Sequence, residues 1–495
     1  MLYLSKSRYC RLWQCPKMLW LDTYRPELKA QDDAKEARFA VGNEVGDLAM
    51  GLFGDFVEVT AKKEDGRLDL PEMIRRTEEE MKKRAPVICE ASFSFGGLYC
   101  AVDLLKKENG GWAIYEVKSA THVSSVYCAD VAYQKYVLEN CGVKVTGVYV
   151  VTINGGYVFD GTRRLDELFN ITDVSDGVAE ETMKIEANLR TAEQVLAGGE
   201  PTVDIGEYCK SPYECEYWDY CTRALQRPNV FDLYRIGFKT ALKHYFDGVT
   251  SYDALLAAGK VKNKTALRQI DFALNDRGTF ADRDAIRAFL DTLSYPLYFL
   301  DFETMQLPVP KYVGTRPYQQ VPFQYSLHYI EKEGGELKHK EFLAESGPDP
   351  RRALAERLCA DIPKDVCVTA YNKAFECIRI KELAAAFPDL SEHLLNIESN
   401  IKDLLTPFQS GWYYTREMGG SFSIKSVLPA LFPDDPQLNY HNLEGVHNGS
   451  EAMDLFPQIQ FMEPAEKETA RRNLLKYCEL DTLAMVKVWE KLKIV

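Results

Sequence analysis

The chain lacks an excess of positive charge, long apolar runs, internal repeats and low-complexity tracts. Lys and Arg number 60 against 74 Asp and Glu, giving a formal net charge of −14. A protein that grips nucleic acid over a long path is commonly basic overall. Any such partner would therefore be held by a local basic groove, or through metal ions that offset acidic residues. No stretch approaches the roughly 20 apolar residues that span a bilayer, so no membrane partner is expected. The opening MLYLSKSRYCRLWQCPKMLWL is interrupted by Lys6, Arg8, Arg11 and Lys17 and has no small-residue cleavage site. It does not read as a secretory leader, and the expected compartment is the cytoplasm.

What the sequence does have is length and cysteine. A chain of 495 residues, 46% hydrophobic and 27% charged, has the composition of a soluble globular protein with two or three domains. Thirteen cysteines, an odd number without a secretion signal, argue against a disulfide framework. Some should be core residues, and a cluster of them would point to a metal.

Three segments are expected. Residues 1–225 read as mixed α/β: a helical opening, a helix near 35–52, strands from 87 to 118, a helix near 126–140, a strand at KVTGVYVVTI and a long amphipathic helix near 177–198. Residues 226–290 read as a helical connector, with HYFDGVTSYDALLAAG as a possible helix–turn–helix. Residues 291–495 are again α/β, with strands at YPLYFLDFET, VPFQYSLHYI, HKEFLA and DVCVTAYN, a helix near 374–387 and a closing helix near 465–493.

WAIYEVKSA, residues 112–120, reads as a strand that puts Glu116 and Lys118 on one face and Tyr115 and Val117 on the other. The preceding LYCAVDLLKKENGG reads as a strand and an Asn-Gly turn, so a hairpin would bring Asp103 to Glu116 and Lys118. Two acids can hold divalent metal that activates water and neutralises phosphate charge, while a Lys orients the nucleophile or stabilises the transition state. Gln134, on the helix that follows, would reach over the site. The bland alternative is a cross-strand ion pair on a solvated sheet face.

Cys209, Cys215 and Cys221 recur with five residues between successive members in YCKSPYECEYWDYC. Regular thiols in a polar, aromatic loop suit an iron–sulfur cluster or zinc, each commonly with four sulfur ligands. Cys15 or Cys10 would be the fourth. Tyr213, Tyr217 and Trp218 beside them either stack on bases or pack around the cluster. Cys89, Cys100, Cys128, Cys141, Cys359, Cys367, Cys377 and Cys478 sit among apolar neighbours and read as buried small hydrophobes.

YFLDFET puts Asp301 and Glu303 on one strand face, where paired buried carboxylates repel unless a cation lies between them. Tyr477 and Asp481 are four apart on the last helix and share a face. Between them in sequence lies Glu376, at the start of a helix after a strand. Lys425 reads as meeting a phosphate near this site or as part of a solvated loop, and His447 as a surface or core histidine.

Two family resemblances follow. Asp103, Glu116-Val117-Lys118 and Gln134 resemble the RecB-like branch of the PD-(D/E)XK nucleases, in which an iron–sulfur subgroup has one Cys before the nuclease core and three after it. Cys15 with Cys209, Cys215 and Cys221 is similar in order, which implies a [4Fe–4S] cluster stapling the domain's ends, with zinc as the alternative. The family's usual early His is replaced by Gly46 in GNEVG, and Glu44 or Glu90 would substitute. Asp301, Glu303, Glu376, Tyr477 and Asp481 resemble the motifs of DnaQ-like DEDD exonucleases of ribonuclease H-like fold, with Glu376 where that family has Asp. This resemblance implies two metal ions held by four acids, a Tyr that positions water, and 3′ to 5′ polarity. Together they resemble a bacterial family of unknown function joining the two nucleases. The expectation is a Mg²⁺- or Mn²⁺-dependent nuclease with two heads acting on single-stranded DNA ends, in repair or defence. The alternatives are an RNA exonuclease, or a nucleic-acid-binding scaffold with one inactive head.

Overall fold

A computed structural model describes residues 3–30 and 35–495. The chain divides into two units, Met1–Ala224 with Leu307–Tyr318, and Leu225–Gln306 with Gln319–Val495. Both are mixed α/β, and among the described residues no helix is long and apolar enough to cross a membrane.

The first unit contains strands β1 (Leu4–Ser5), β2 (Val57–Glu58), β3 (Val87–Phe95), β4 (Leu98–Glu108), β5 (Gly111–Lys118), β6 (Val145–Ile153) and β7 (Phe169–Asp173). They form one sheet in the order β2-β3-β4-β5-β6-β7, with β1 paired to β4. The β4–β5 hairpin turns on Asn109 and Gly110, at φ 53° and 72°. Two residues with positive φ make the tight turn whose twist matches the flanking strands, which is why Asn-Gly is a hairpin signal. Ile114 and Trp112 pack on one face with Ala129, Ala132 and Tyr133 of the Ser125–Asn140 helix. Ala113 and Tyr115 pack on the other with Val45 and Ala49. The two-residue period of β5 thus separates two apolar layers.

The expected long helix near 177–198 is two helices, Ser175–Thr182 and Ile185–Ala197. The apolar period runs through both, but the chain breaks at Met183, which is exposed, and Lys184. Cys141 is exposed, not buried as its neighbours suggested, because it caps the helix end where the chain turns outward.

The second unit contains β8 (Thr279–Ala281), β9 (Leu297–Gln306), β10 (Gln320–Ile330), β11 (Leu337–Leu343), β12 (Cys367–Ala370), β13 (Ile401–Asp403) and β14 (Tyr413–Thr415). The main sheet runs β11-β10-β9-β12-β13. β10 is antiparallel to both neighbours, while β12 is parallel to β9 and β13. Tyr298, Leu300 and Phe302 pack on one face with Leu354, Leu358, Ile380 and Leu383. Leu297 and Phe299 pack on the other with Met485, Val486 and Trp489 of the Pro464–Lys493 helix. Residues 226–290 lie within this unit: β8 pairs with β14, and Gln269 donates to the Gly419 carbonyl at 3.1 Å.

Candidate functional site

In the first unit, the hairpin opens at the chemically important residues. β4 pairs with β5 up to Leu104 and Tyr115, and its earlier part pairs with β1 at Leu98 and Tyr99. Where the strands part, the Val117 N–H donates to Asp103 Oδ2 at 2.7 Å, so a side chain replaces the next backbone rung. This sets Asp103 beside Glu116. Lys118 Nζ lies 2.6 Å from Glu116 Oε1 and 2.8 Å from Asp130 Oδ2. Gln134 Nε2 donates to Glu116 Oε2 at 2.7 Å and to Asp130 Oδ1 at 3.0 Å. Its Oε1 is buried without a hydrogen-bond partner among the described residues.

The sequence reading missed Lys6 and Asp130. Lys6 Nζ sits 2.8 Å from Glu116, 3.8 Å from Asp103 and 3.9 Å from Asp130, a cation amid three carboxylates. No local pattern signals Lys6; it arrives because β1 pairs alongside β4 and Ser5 caps the helix it opens. Asp130 was legible, since it lies four residues before Gln134 and so shares its helical face.

Gly46, in the place of a His, offers no ligand atom. Glu44 pairs with Lys311 at 3.7 Å. Glu90 lies across β3–β4 from Asp103, between the pairs Cys89–Leu104 and Ala91–Val102. Its φ is 58°, a strained conformation for a non-glycine residue in mid-strand. Burial raises its carboxyl, and Glu116 adds repulsion while Lys6 opposes it. Burial and the Glu116 charge push Asp103 up to about 7. Burial alone would also raise Glu116, but Lys118 and Lys6 outweigh it and hold it low.

Cys15, Cys209, Cys215 and Cys221 line one small pocket with Met18, Leu21 and Tyr217. Burial raises each thiol, to about 11 for Cys209 and about 12 for Cys215, and Cys15 adds to the rise at the other three. Backbone N–H groups face three of the sulfurs: Gly206 donates to Cys209 Sγ at 3.4 Å, Lys17 and Met18 to Cys15, and Tyr217 to Cys215. Such donors stabilise ligating thiolates, so the set fits a thiolate-bound metal group. Cys10 is not among the residues lining that pocket; it is half-buried, and the charges acting on its thiol are those of Asp130, Lys118, Lys6 and Glu116. Tyr217 is packed, its hydroxyl donating to Asp22 at 2.7 Å, whereas Tyr213 is exposed.

In the second unit, Asp301 and Glu303 lie on β9, at the centre of the sheet, on the face away from Phe302. Carboxylate oxygens of both lie within 4.8 Å of Cys478 Sγ on the Pro464–Lys493 helix. Cys478 is buried as expected, but against the acids. Asp481, one turn on, accepts from the Tyr440 hydroxyl at 2.6 Å and also from Tyr477. Gln324 Nε2 donates to the Leu474 carbonyl at 2.8 Å, tying this helix to β10 beside Glu303.

Glu376 enters from the first turn of the Ala374–Ala386 helix, 2% exposed, with Oε2 unpartnered among the described residues. Burial pushes it up to about 8, with Asp403 adding repulsion. Burial is also the first cause for Asp301, raised well above the carboxylate range by Asp481, Glu303 and Glu376 in addition, and for Glu303, raised likewise. Asp481 is raised to about 6 by burial, restrained by its tyrosine bond. Asp301 and Glu303 thus share one place with Cys478, and both feel Asp481 and Glu376 as like charges, while Glu376 itself stands nearer Asp403 and Arg379. Lys425 is the nearest counter-charge: its Nζ lies 5.2 Å from the ring centroids of both Tyr440 and Tyr477, and it lowers Asp301, Glu303 and Asp481. Of its two readings, the structure supports a place at the site. Gly449 is also against it; a Cβ there would meet Glu303 Oε2 at 3.6 Å. His447 pairs with Glu451 at 3.1 Å.

A family model described as a domain of unknown function (DUF2779) matches residues 298–423, which include Asp301, Glu303 and Glu376 but not Tyr477 or Asp481. No curated protein matches the chain.

Proposed function

We propose that this chain is a metal-dependent nuclease with two heads, each hydrolysing phosphodiesters, with single-stranded DNA ends as the substrate. The observation that carries this reading is the Asp301–Glu303 pair on the central strand, close to the last helix at Cys478, with buried Glu376 and Asp481 adding like charge to it and one Glu376 oxygen left without a partner among the described residues. Like charges so arranged are stable only when protonated or when divalent cations lie between them. The mixed sheet, with the DxE pair on its central strand and Tyr477–Asp481 on the last helix, supports a ribonuclease H-like DEDD reading. The opened hairpin with Asp103, Glu116, Lys118 and Gln134 supports a RecB-like PD-(D/E)XK reading of the first unit. The four-cysteine pocket supports a [4Fe–4S] staple between that unit's ends.

Mg²⁺ or Mn²⁺, held by Asp301, Glu303, Glu376 and Asp481 or by Asp103 and Glu116, would lower the pKa of water and offset phosphate charge. The chain's own residues supply the rest. Tyr477, hydrogen-bonded to Asp481, orients the attacking water in the second head. Lys425, over the two tyrosine rings, meets the scissile phosphate and stabilises the charge it gains. In the first head Lys118 orients the nucleophile, fixed by Glu116 and Asp130.

One observation favours a second reading for the first head. Lys6 already supplies a cation beside Asp103 and Glu116, and Gly46 supplies no ligand. A head so neutralised would bind nucleic acid and not cleave it. Asp103→Ala and Asp301→Ala, assayed separately on labelled single-stranded DNA and RNA with Mn²⁺, decide between them. Loss only with Asp301→Ala assigns cleavage to the second head, and no cleavage by the wild type removes the nuclease reading.

A further inference from the structure

A cluster outside both carboxylate sites joins β10, β11 and the Pro464–Lys493 helix. His328 and His339 are directly paired across the β10–β11 hairpin. Paired residues project to the same side of a sheet with Cβ atoms about 5 Å apart, and the two rings lie 4.5 Å apart between centroids. One ring nitrogen of each histidine and a Glu479 carboxylate oxygen lie within 4.8 Å of one another. His328 is buried, while His339 and Glu479 are 24% and 48% exposed, so the group is open to solvent on one side.

The hydrogen bonds around the rings are satisfied together by one assignment of protons. The Thr482 hydroxyl donates to the Glu479 backbone carbonyl at 3.1 Å. Its oxygen must then accept from its other two neighbours, His328 Nδ1 at 2.8 Å and Ser326 Oγ at 2.6 Å. With its proton committed to Thr482, Ser326 Oγ accepts from His339 Nε2 at 2.9 Å. A neutral imidazole has one donor and one acceptor nitrogen. His328 therefore keeps a lone pair on Nε2 and His339 one on Nδ1. The His339 Nδ1 lone pair faces Glu479 Oε1 at 4.0 Å, acceptor against acceptor. A cation that bonds nitrogen and oxygen at about 2 Å in a tetrahedral site would draw the two atoms to about 3.4 Å, a small shift of the half-exposed Glu479 side chain. Hydroxyls that hold the non-ligating nitrogen of each ring are the outer support by which proteins aim histidine ligands.

We propose that His328, His339 and Glu479 bind a Zn²⁺ ion. Two imidazoles and one carboxylate are a zinc donor set that leaves a fourth position for water. The ion bolts the β10–β11 hairpin to the helix that carries Tyr477 and Asp481, and the proposal stands whether or not that helix serves a nuclease.

The test is zinc binding by the full-length protein, stripped with a chelator and titrated with Zn²⁺ alone. Wild type is compared with His339→Ala and with Glu479→Gln, a same-size change at a half-exposed position. Each variant should bind one Zn²⁺ fewer than wild type, or bind that ion at least about tenfold more weakly. Asp301→Asn should keep that ion. In the wild type, zinc should also shift the ¹⁵N resonances of His328 Nε2 and His339 Nδ1 and not those of the hydroxyl-bound nitrogens. Equal zinc stoichiometry and affinity in wild type and in both variants would overturn the proposal, as would unshifted imidazole resonances in wild type.

Discussion

The two units answer the same electrostatic problem differently. In the first, three carboxylates are met by two lysines, and Glu116 is held low because Lys118 and Lys6 are within hydrogen-bond reach. In the second, Asp301, Glu303 and Asp481 share one lysine, Lys425, Glu376 has only Arg379 opposing its rise, and all four are raised. The first site carries its counter-charge in its own fold, while the second leaves its charge to be balanced by protons or metal. A site of the second kind should bind divalent cations more tightly per carboxylate, because fewer resident ammonium groups oppose the ion.

The largest effect should come from Asp301→Ala. It removes a central carboxylate without disturbing the sheet face that holds Phe302. Since metal coordination supplies several kcal/mol of transition-state stabilisation, cleavage by the second head should fall by roughly 10³-fold or more. If Asp103→Ala costs the same, the contrast between the two sites is wrong.

Next is Lys6→Met. Removing one partner of a buried ion pair costs about 3–5 kcal/mol, so the metal-free first unit should melt earlier. Its affinity for Mn²⁺ should rise by about tenfold, since the ion no longer competes with an ammonium. Calorimetric titration of a variant that also carries Asp301→Asn isolates this site. An unchanged affinity would mean that Lys6 does not hold the cation position.

The pH dependence separates the sites further. The folded protein keeps a proton on Glu376 up to about 8, whereas the unfolded chain releases it near the ordinary value of 4.5. Between those values the folded state binds more protons, so stability falls as pH rises. A shift of this kind corresponds to a few kcal/mol across the window. Metal-free protein should lose stability over that range, Glu376→Gln should flatten the slope, and Mn²⁺ should do the same by removing the repulsion. Glu116, held low, has the opposite sign: its contribution is present above the ordinary carboxylate range and is lost as the medium is made acid.

Much of this was legible in residue order and some was not. The Asn-Gly turn, the two-residue period of WAIYEVKSA and DFE, and the spacing of Tyr477 and Asp481 are local rules, and each put its side chains on the expected face. Lys6 and Cys10 were illegible because they reach their positions through β1, two residues long, whose pairing with β4 is a tertiary event. Tyr440 was illegible for the same reason, arriving in an irregular segment without periodicity. The His328–His339 pair needs the β10–β11 register, which neither strand's own pattern fixes.

The smallest expected effect tests how much the first site owes to its turn. Asp103 and Glu116 belong to two strands and meet only if the hairpin closes in register, whereas Asp301 and Glu303 share one strand and need no turn to align. Gly110 has φ 72° and open space where a Cβ would sit, so Gly110→Ala costs backbone strain alone, about 1 kcal/mol. The substitution should lower the stability of the first unit by that amount and loosen metal binding at Asp103 and Glu116 slightly. Metal binding at Asp301 should be unaffected. Chemical denaturation followed at the two units, with Mn²⁺ titrations of the same variant, measures both; an equal loss at the two sites would show that the hairpin does not set the geometry of the first.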